Sequence, residues 1–554
     1  MNLKSLIKSI TKSEWFFLAG LSLGVIILTI APLIYGWLNA KSHEQFTGVH
    51  FTVLTDWFVY YSYLEQVRQG HYLFKDLFTP EAHQPTLNIF WLGVGLLAKY
   101  LSLSNILALN LARILLIPVF YFVAYLFIAL IFLEKKMRQL AVLILTFSSG
   151  FGALLLDRFI RFPANLSNGN LNWPMDLWVP ELNTYFTLYY SPHFIASLIL
   201  IIIIFLFTVL YATNQKLIYA VYSGLAALLL FSFHPFHVVT IFAVILFYFA
   251  CRVFQARKII IKDITYYTIL LLISFPAVFY YGYFIQNDEV LRIKYAQNIC
   301  FTTPLWLTIA SLGLPFWAAI YVLFLRLKKQ LNYSGSVAAL NFIFIWVAVQ
   351  FGLMFSPVLF QRRLSEGIHF PLAMLTALAW PELSRWFKQQ KTATQKLFCT
   401  QRHLLAMFLV FLLTVSNLFV ISADLYMYYT RKEFIYFDRD YVAAMEYLKK
   451  FKDDKVVLAT AKRVVAVLPA YSGKTVYAGH GVETISFFAK EEEIAWFFQQ
   501  NHDENIELNF LRKRNIGYIF YSKAEKELGS YNPVQKKYLQ LDFENSQAQV
   551  YIVK

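Results

Sequence analysis

The sequence predicts a polytopic α-helical membrane protein of about eleven spans, followed by a C-terminal soluble α/β domain. Three observations predict it. The chain has 554 residues, of which 58% are hydrophobic and only 15% charged, more apolar surface than a soluble domain can hide. Apolar runs long enough to span recur, with polar connections, as far as residue 423. Beyond Asp424 charges become frequent and the apolar runs shorten.

The spans follow in order. Trp15 to Leu38 lacks a small-residue cleavage site and is long for a signal-peptide core, so it reads as a retained transmembrane helix. Further runs lie near 104–133, 139–156, 194–211, 217–233, 236–251, 264–284, 301–325, 336–356, 366–382 and 403–423. Lys4, Lys8 and Lys12 put the N-terminus in the cytoplasm and the first long connection, 39–103, outside. Leu87–Tyr100 is apolar but short. If it does not span, the basic connections Lys135/Lys136/Arg138, Arg252/Arg257/Lys258, Arg326/Lys328/Lys329 and Arg385–Arg402 all fall inside. If it spans, all fall outside, against the positive-inside rule. It is therefore expected to lie along or dip into the outer surface. Residues 1–423 form the membrane domain, and the C-terminal domain lies outside.

In residues 424–554, "KVVLAT", "KTVYAG" and "IGYIFYS" read as strands, alternating with helical stretches such as Tyr441–Lys452 and Glu491–Gln500. The net charge of +16 is assigned to cytoplasmic loops and not to nucleic-acid binding. Cys251, Cys300 and Cys399 show no paired spacing, so neither a disulfide framework nor a zinc site is indicated. Asn165-Leu-Ser and Asn332-Tyr-Ser fit the glycosylation triplet, which arises often by chance. "YSGKTVYAGHG" lacks the spacing of a phosphate-binding loop.

On this topology the unusual polar residues collect on the outer side: Asp56, His83, Asp157-Arg158, Asp176, Glu181, His193, "HPFH" (His234 to His237) and "FQRRLSEGIHF". A transporter calls instead for polar groups near the midplane, so the distribution reads as an enzyme with an outer-face site. Arg362-Arg363 breaks the charge rule locally, and a lipid phosphate is a physical reason, because guanidinium matches phosphate oxygens bidentately. The alternatives are snorkelling to ordinary phospholipid or pairing with Glu366. His234 and His237 have a spacing that could bind metal on a helix, but Pro235 interrupts that helix. The four outer-face histidines with Asp56 or Asp157 could make a metal site, but that is the less favoured reading and no metal ligand set is assigned. His234 and His237, with His83 and His193, are expected to line a sugar pocket or to make interfacial hydrogen bonds. Asp157-Arg158 reads either as a local ion pair or as an acceptor contact.

Asp56, placed after the first span among Trp57, Phe58, Tyr60 and Tyr61, carries the next step. With "QGHYLFKDLF", "HQPTLNIFWLGVGLLAKYLS" and Arg113, the arrangement resembles the GT-C fold glycosyltransferases. It is most similar to the bacterial members related to protein O-mannosyltransferases and the lipid A aminoarabinose transferase. The resemblance implies that Asp56 is the catalytic acid of the first outer loop, that Arg113 opens the next span and that Asp157 is a second outer-face acid. It also implies a polyprenyl-phosphate sugar donor, a glycan, lipid or protein acceptor, contact with membrane lipids, and a bacterial inner (cytoplasmic) membrane with a periplasmic C-terminal domain. Many members carry a DxD-like pair in this loop. Here Asp56 is followed by Trp57, and the next acids are Glu65 and Asp76. No cofactor is therefore required on this reading, and a divalent cation is an alternative the pattern does not favour.

One carboxylate can suffice. A phosphate leaves as an ion already stable near neutral pH, with a second pKa of about 6, so no general acid is needed. A base must take the acceptor's proton, and cations must stabilise the growing phosphate charge. Direct attack inverts the anomeric centre. The rival classes are a lipid or polysaccharide transporter, and a polymerase or ligase using pyrophosphate-linked oligosaccharide.

Overall fold

The computed structural model describes residues 2–156, 173–389, 402–460 and 466–554. Each of the apolar runs named above is helical. Among the described residues, eight helices are long and apolar enough to cross a membrane: Lys12–Leu38, Asn105–Ile131, Lys135–Leu155 (which breaks at 148–151), Pro192–Asn214, His237–Ala256, Ile261–Asn287, Leu305–Leu327 and Met407–Tyr429. Ile218–Phe231 and Val337–Leu353 are apolar but shorter, and His369–Gln389 completes the set. Ile89–Tyr100 is a separate helix of 12 residues. At 1.5 Å per residue it reaches about 18 Å, well short of a bilayer core of about 30 Å.

The chain divides into two compact units: Met1–Ala31, Leu111–Tyr280 and Ile299–Ala423 in the first, Pro32–Asn110, Tyr281–Asn298 and Asp424–Lys554 in the second. The first is a helical body whose core is built from wide aromatic and branched side chains. Trp346 is fully buried, packed edge-on to Phe205 at 4.6 Å and stacked with Phe370 at 5.5 Å between ring centroids. Buried charged side chains in it find hydrogen-bond partners, which offsets the cost of leaving water. Glu14 accepts from the Tyr125 hydroxyl at 2.8 Å and meets Arg138 at 3.4 Å, while Arg138 donates to the carbonyls of Phe132 and Ser9. Arg113 is buried and donates to the carbonyls of Tyr189 at 3.1 Å and Thr29 at 3.3 Å.

The second unit contains two sheets. Strand β1 (Glu44–Phe46) pairs antiparallel with β2 (Tyr436–Asp438), joining the start of the first connection to the end of the last long helix. A four-stranded sheet follows, with β3 (Val456–Leu458), β4 (Ile516–Ser522), β5 (Leu539–Glu544) and β6 (Ala548–Val553) in the order β3-β4-β6-β5. Only β3 and β4 run parallel. Of the three strands expected here, "KTVYAG" contributes only a single bridge, Val457 to Val476. The helices Arg439–Tyr447 and Phe487–Gln499 match the two helical stretches anticipated.

Helix Leu54–Arg68 packs on Ile89–Tyr100. Tyr60 stacks on Trp91 with centroids 4.7 Å apart, and a Cβ on Gly95 would meet a Val67 methyl at 2.6 Å, so only glycine permits this approach. Arg68 ties the far ends by donating to Asn105 Oδ1 at 2.6 Å and to the Leu103 carbonyl at 2.8 Å.

Candidate active site

Asp56 sits in the first turn of helix Leu54–Arg68, where the helix dipole and free N–H groups favour a carboxylate. The turn before it is held tightly. Val53 is left-handed (φ 45°), a conformation a β-branched residue adopts only under surrounding constraint. The constraint is visible: buried Asp424 accepts from the Phe51 peptide at 2.7 Å and pairs with His50 Nδ1, Tyr428 donates to the Val49 carbonyl, and Tyr61 to the Thr47 carbonyl.

The partner of Asp56 comes from 424 residues away. His480 Nε2 lies 3.0 Å from Asp56 Oδ1, and the ring is buried. The peptide N–H groups of Val482 and Glu483 both donate to His480 Nδ1 at 3.2 Å. In the neutral ring Nδ1 is thus the acceptor, so Nε2 carries the proton and donates it to Asp56. Burial opposes charge on His480, but the Asp56 carboxylate outweighs it and raises the pKa above the usual histidine value. A second proton must go on Nδ1, where two peptide donors already point. We therefore take the neutral tautomer as the working form.

The loop around His480 is fixed by Thr484, whose hydroxyl accepts from the peptides of Gly479 and His480 and donates to the Phe78 carbonyl at 2.6 Å. Helix Glu289–Gln297 holds this loop and the first connection together. Lys294 bridges Asp76 (2.5 Å) and Glu483, Gln297 donates to the Val482 carbonyl, and Asp288 accepts from the Gln84 peptide. Burial works against the Lys294 charge, but the two carboxylates outweigh it and keep its pKa well above the usual lysine value. His83 belongs to the same connection. Its Nε2 accepts from the Asp76 peptide at 2.9 Å, and Nδ1 meets the Glu81 carbonyl at 2.7 Å, so both ring nitrogens have backbone partners.

The other candidates lie in the first unit. Arg362 and Arg363 occupy a short 3₁₀ turn, Gln361–Ser365. Arg362 stacks over Trp178 at 4.2 Å, and Arg363 lies over Phe236 at 5.4 Å. Burial raises the pKa of Glu181, and both arginines pull against that rise. His234 lies in the turn that separates helix Ile218–Phe231 from helix His237–Ala256, as Pro235 implied. His193, near the start of helix Pro192–Asn214, is 5.2 Å from His234 and perpendicular to it. Glu366 faces the histidines, with Oε2 2.7 Å from His237 Nε2 and 3.6 Å from His234 Nδ1. The arginine and histidine candidates are thus neighbours, while Asp56 and His83 belong to the other unit. Asp157 and Arg158 lie outside the described residues.

Asp176 is fully buried in a 3₁₀ turn between spans, with Oδ2 accepting from the Gly152 peptide at 2.9 Å and Ser416 at 2.6 Å. Burial pushes its pKa up to about 6.

Sequence reasoning passed over His480 and Lys294, and named Glu366 only as a partner for the arginines, not for the histidines. His480 stands in "YAGHG", a glycine-flanked histidine in a soluble domain, the one local signal available for it.

No family model matches this sequence, and no curated relative matches it. Solved structures share the architecture. The oligosaccharyltransferase AglB from Archaeoglobus fulgidus, in complex with an inhibitory peptide and a dolichol-phosphate, aligns with TM-score 0.51 and 12% identity over 92% of this chain and 70% of its own. ArnT from Cupriavidus metallidurans, bound to undecaprenyl phosphate, aligns with TM-score 0.50 and 11% identity over 98% of each chain.

Proposed function

The chain has the GT-C fold, and from that premise we propose that it is a membrane glycosyltransferase. It moves a sugar from a polyprenyl-phosphate-linked donor to a hydroxyl or amine of an acceptor at the outer face of the cytoplasmic membrane. The observation that carries this reading is the Asp56–His480 pair: a carboxylate at a helix N-terminus, oriented by an imidazole whose tautomer is fixed by two peptide donors. The AglB and ArnT structures contain dolichol-phosphate and undecaprenyl phosphate, which supports a lipid-phosphate donor here.

The roles follow from the chemistry of each group. Asp56 takes the acceptor's proton as general base while the nucleophile attacks the anomeric carbon on the face opposite the phosphate, inverting it. His480 Nε2–H holds the carboxylate so that its second oxygen faces the acceptor. Arg362 and Arg363, which lie over Trp178 and Phe236, are the cations that offset the charge left on the departing polyprenyl phosphate, a role guanidinium groups suit because they match phosphate oxygens. That phosphate needs no proton to leave, so one carboxylate completes the acid–base work.

The test compares surface glycolipids and glycans, by mass spectrometry, from a strain lacking the protein and from strains complemented with wild type or Asp56→Asn at equal membrane abundance. One sugar modification should vanish and return only with wild type. Asp56→Asn should lower turnover by about 10²–10⁴-fold, the span general-base catalysis supplies. Full restoration by Asp56→Asn overturns the assignment and moves transport ahead.

A further inference from the structure

The geometry points to a divalent-cation site in the first unit, formed by His234, His237 and Glu366, of the kind that takes zinc. The three side chains are essentially buried, and one ligand atom from each lies within 4.8 Å of the other two. Two separations, 2.7 Å for His237 Nε2 to Glu366 Oε2 and 3.6 Å for His234 Nδ1 to the same oxygen, bracket the spacing a cation needs. With metal–ligand bonds of about 2.0–2.1 Å, donors of a tetrahedral zinc site stand roughly 3.3 Å apart. A few tenths of an ångström at each side chain converts the cluster to a coordinating one.

A simple buried hydrogen bond accounts for less. It uses His237 Nε2 and one carboxylate oxygen, and leaves His234 Nδ1, His237 Nδ1 and Glu366 Oε1 buried without a hydrogen-bond partner. Orphaned polar atoms of this number in one place are costly. A cation uses His234 Nδ1 directly and draws on the carboxylate more fully.

The supporting structure is also present. The Gln350 side chain donates to the Leu364 carbonyl at 2.8 Å and to the Glu366 carbonyl at 2.6 Å, and its own oxygen accepts from Trp346. The backbone that carries the carboxylate is thereby fixed from the core side, as ligand-bearing segments require. Two imidazoles and a carboxylate suit a first-row divalent cation and leave a fourth position open. Pro235 lies in the turn between the two helices, which places His234 in that turn and His237 at the start of the second helix.

The experiment uses full-length protein, purified in detergent without a polyhistidine tag, stripped with chelator and re-exposed to Zn²⁺ or Co²⁺ alone. We expect one zinc per chain retained through gel filtration, a zinc-dependent rise in thermal midpoint, and visible d–d absorption from cobalt in a low-symmetry nitrogen–oxygen site. Glu366→Gln and His237→Ala should each lose all three. Well-folded wild type that retains neither metal overturns the site, as does zinc retained equally by both variants. Because the readout is metal content, it stands or falls independently of the glycosyltransferase reading.

Discussion

His480 gives Asp56 one hydrogen bond and accepts two, so its contribution can be separated from that of the base itself. A hydrogen bond to a charged group is worth about 1.5–3 kcal/mol, or roughly a factor of ten to a hundred in a rate that depends on it. His480→Ala should lower kcat by about that factor and leave KM for the lipid donor nearly unchanged, because the carboxylate loses the donor that holds it in place. His480→Gln, which restores an N–H donor, should recover part of kcat. Equal activity in all three proteins would remove the positioning role. Asp56 could be singled out in the sequence because its acid stands alone in an aromatic, interfacial setting. His480 could not, because a contact across 424 residues leaves no local periodicity. Glu366 was obscured for a related reason: its neighbours in sequence are two arginines, and only the folded turn presents it to histidines 129 and 132 residues earlier (366 − 237 and 366 − 234).

At the level of elements, hydrophobic periodicity carried most of the prediction, and it failed where short segments depend on tertiary partners. The apolar runs became helices because each is long enough to satisfy its own backbone internally. "KTVYAG" satisfies the strand pattern but makes only one bridge, whereas β5 and β6 form an antiparallel pair that the sequence reading did not name. The connection through Asp176 is a further case. Its carboxylate anchors a broken helix to the turn of Met175–Leu177 through the Gly152 peptide and Ser416. A Cβ on Gly152 would come within 2.3 Å of it. The pKa of about 6 lies above the unfolded value of 3.8, so the folded state binds the proton more tightly. The associated stability is present below pH 3.8 and lost as pH rises through about 6, amounting to about 3 kcal/mol at most. The thermal midpoint in detergent should therefore fall from pH 4.5 to 7.5 in wild type. Asp176→Asn, which keeps an oxygen for both donors, should flatten that slope and be the more stable protein at neutral pH. A variant with an unchanged slope would place the titration elsewhere.

For the whole molecule the deciding quantity is parity. Eight full-length helices alone would return the C-terminal segment to the side of the N-terminus, while eleven crossings place it on the opposite side. The three remaining helices decide, and charge argues that each crosses. Ile218–Phe231 has 14 residues, about 21 Å, and three-residue and five-residue connections on either side, so it must reverse direction at both ends. If it failed to cross, Lys216 and the Arg257-Lys258 pair would fall on opposite faces. If either Val337–Leu353 or His369–Gln389 failed, Lys328-Lys329 and Arg385 would be separated in the same way. Short helices can cross where the non-helical backbone at their ends is buried in protein and satisfied internally. The turn at 354–368 meets that condition in part: Gln350, near the end of its helix, donates to the Leu364 and Glu366 carbonyls, and Glu366 meets His237. The domain that carries His480 should then be digested by protease added to intact spheroplasts, while an N-terminal tag stays protected until the membrane is opened. Protection of both ends would mean an even number of crossings, and with it an Asp56–His480 pair facing a compartment where nucleotide sugars, not lipid-linked ones, are the accessible donors.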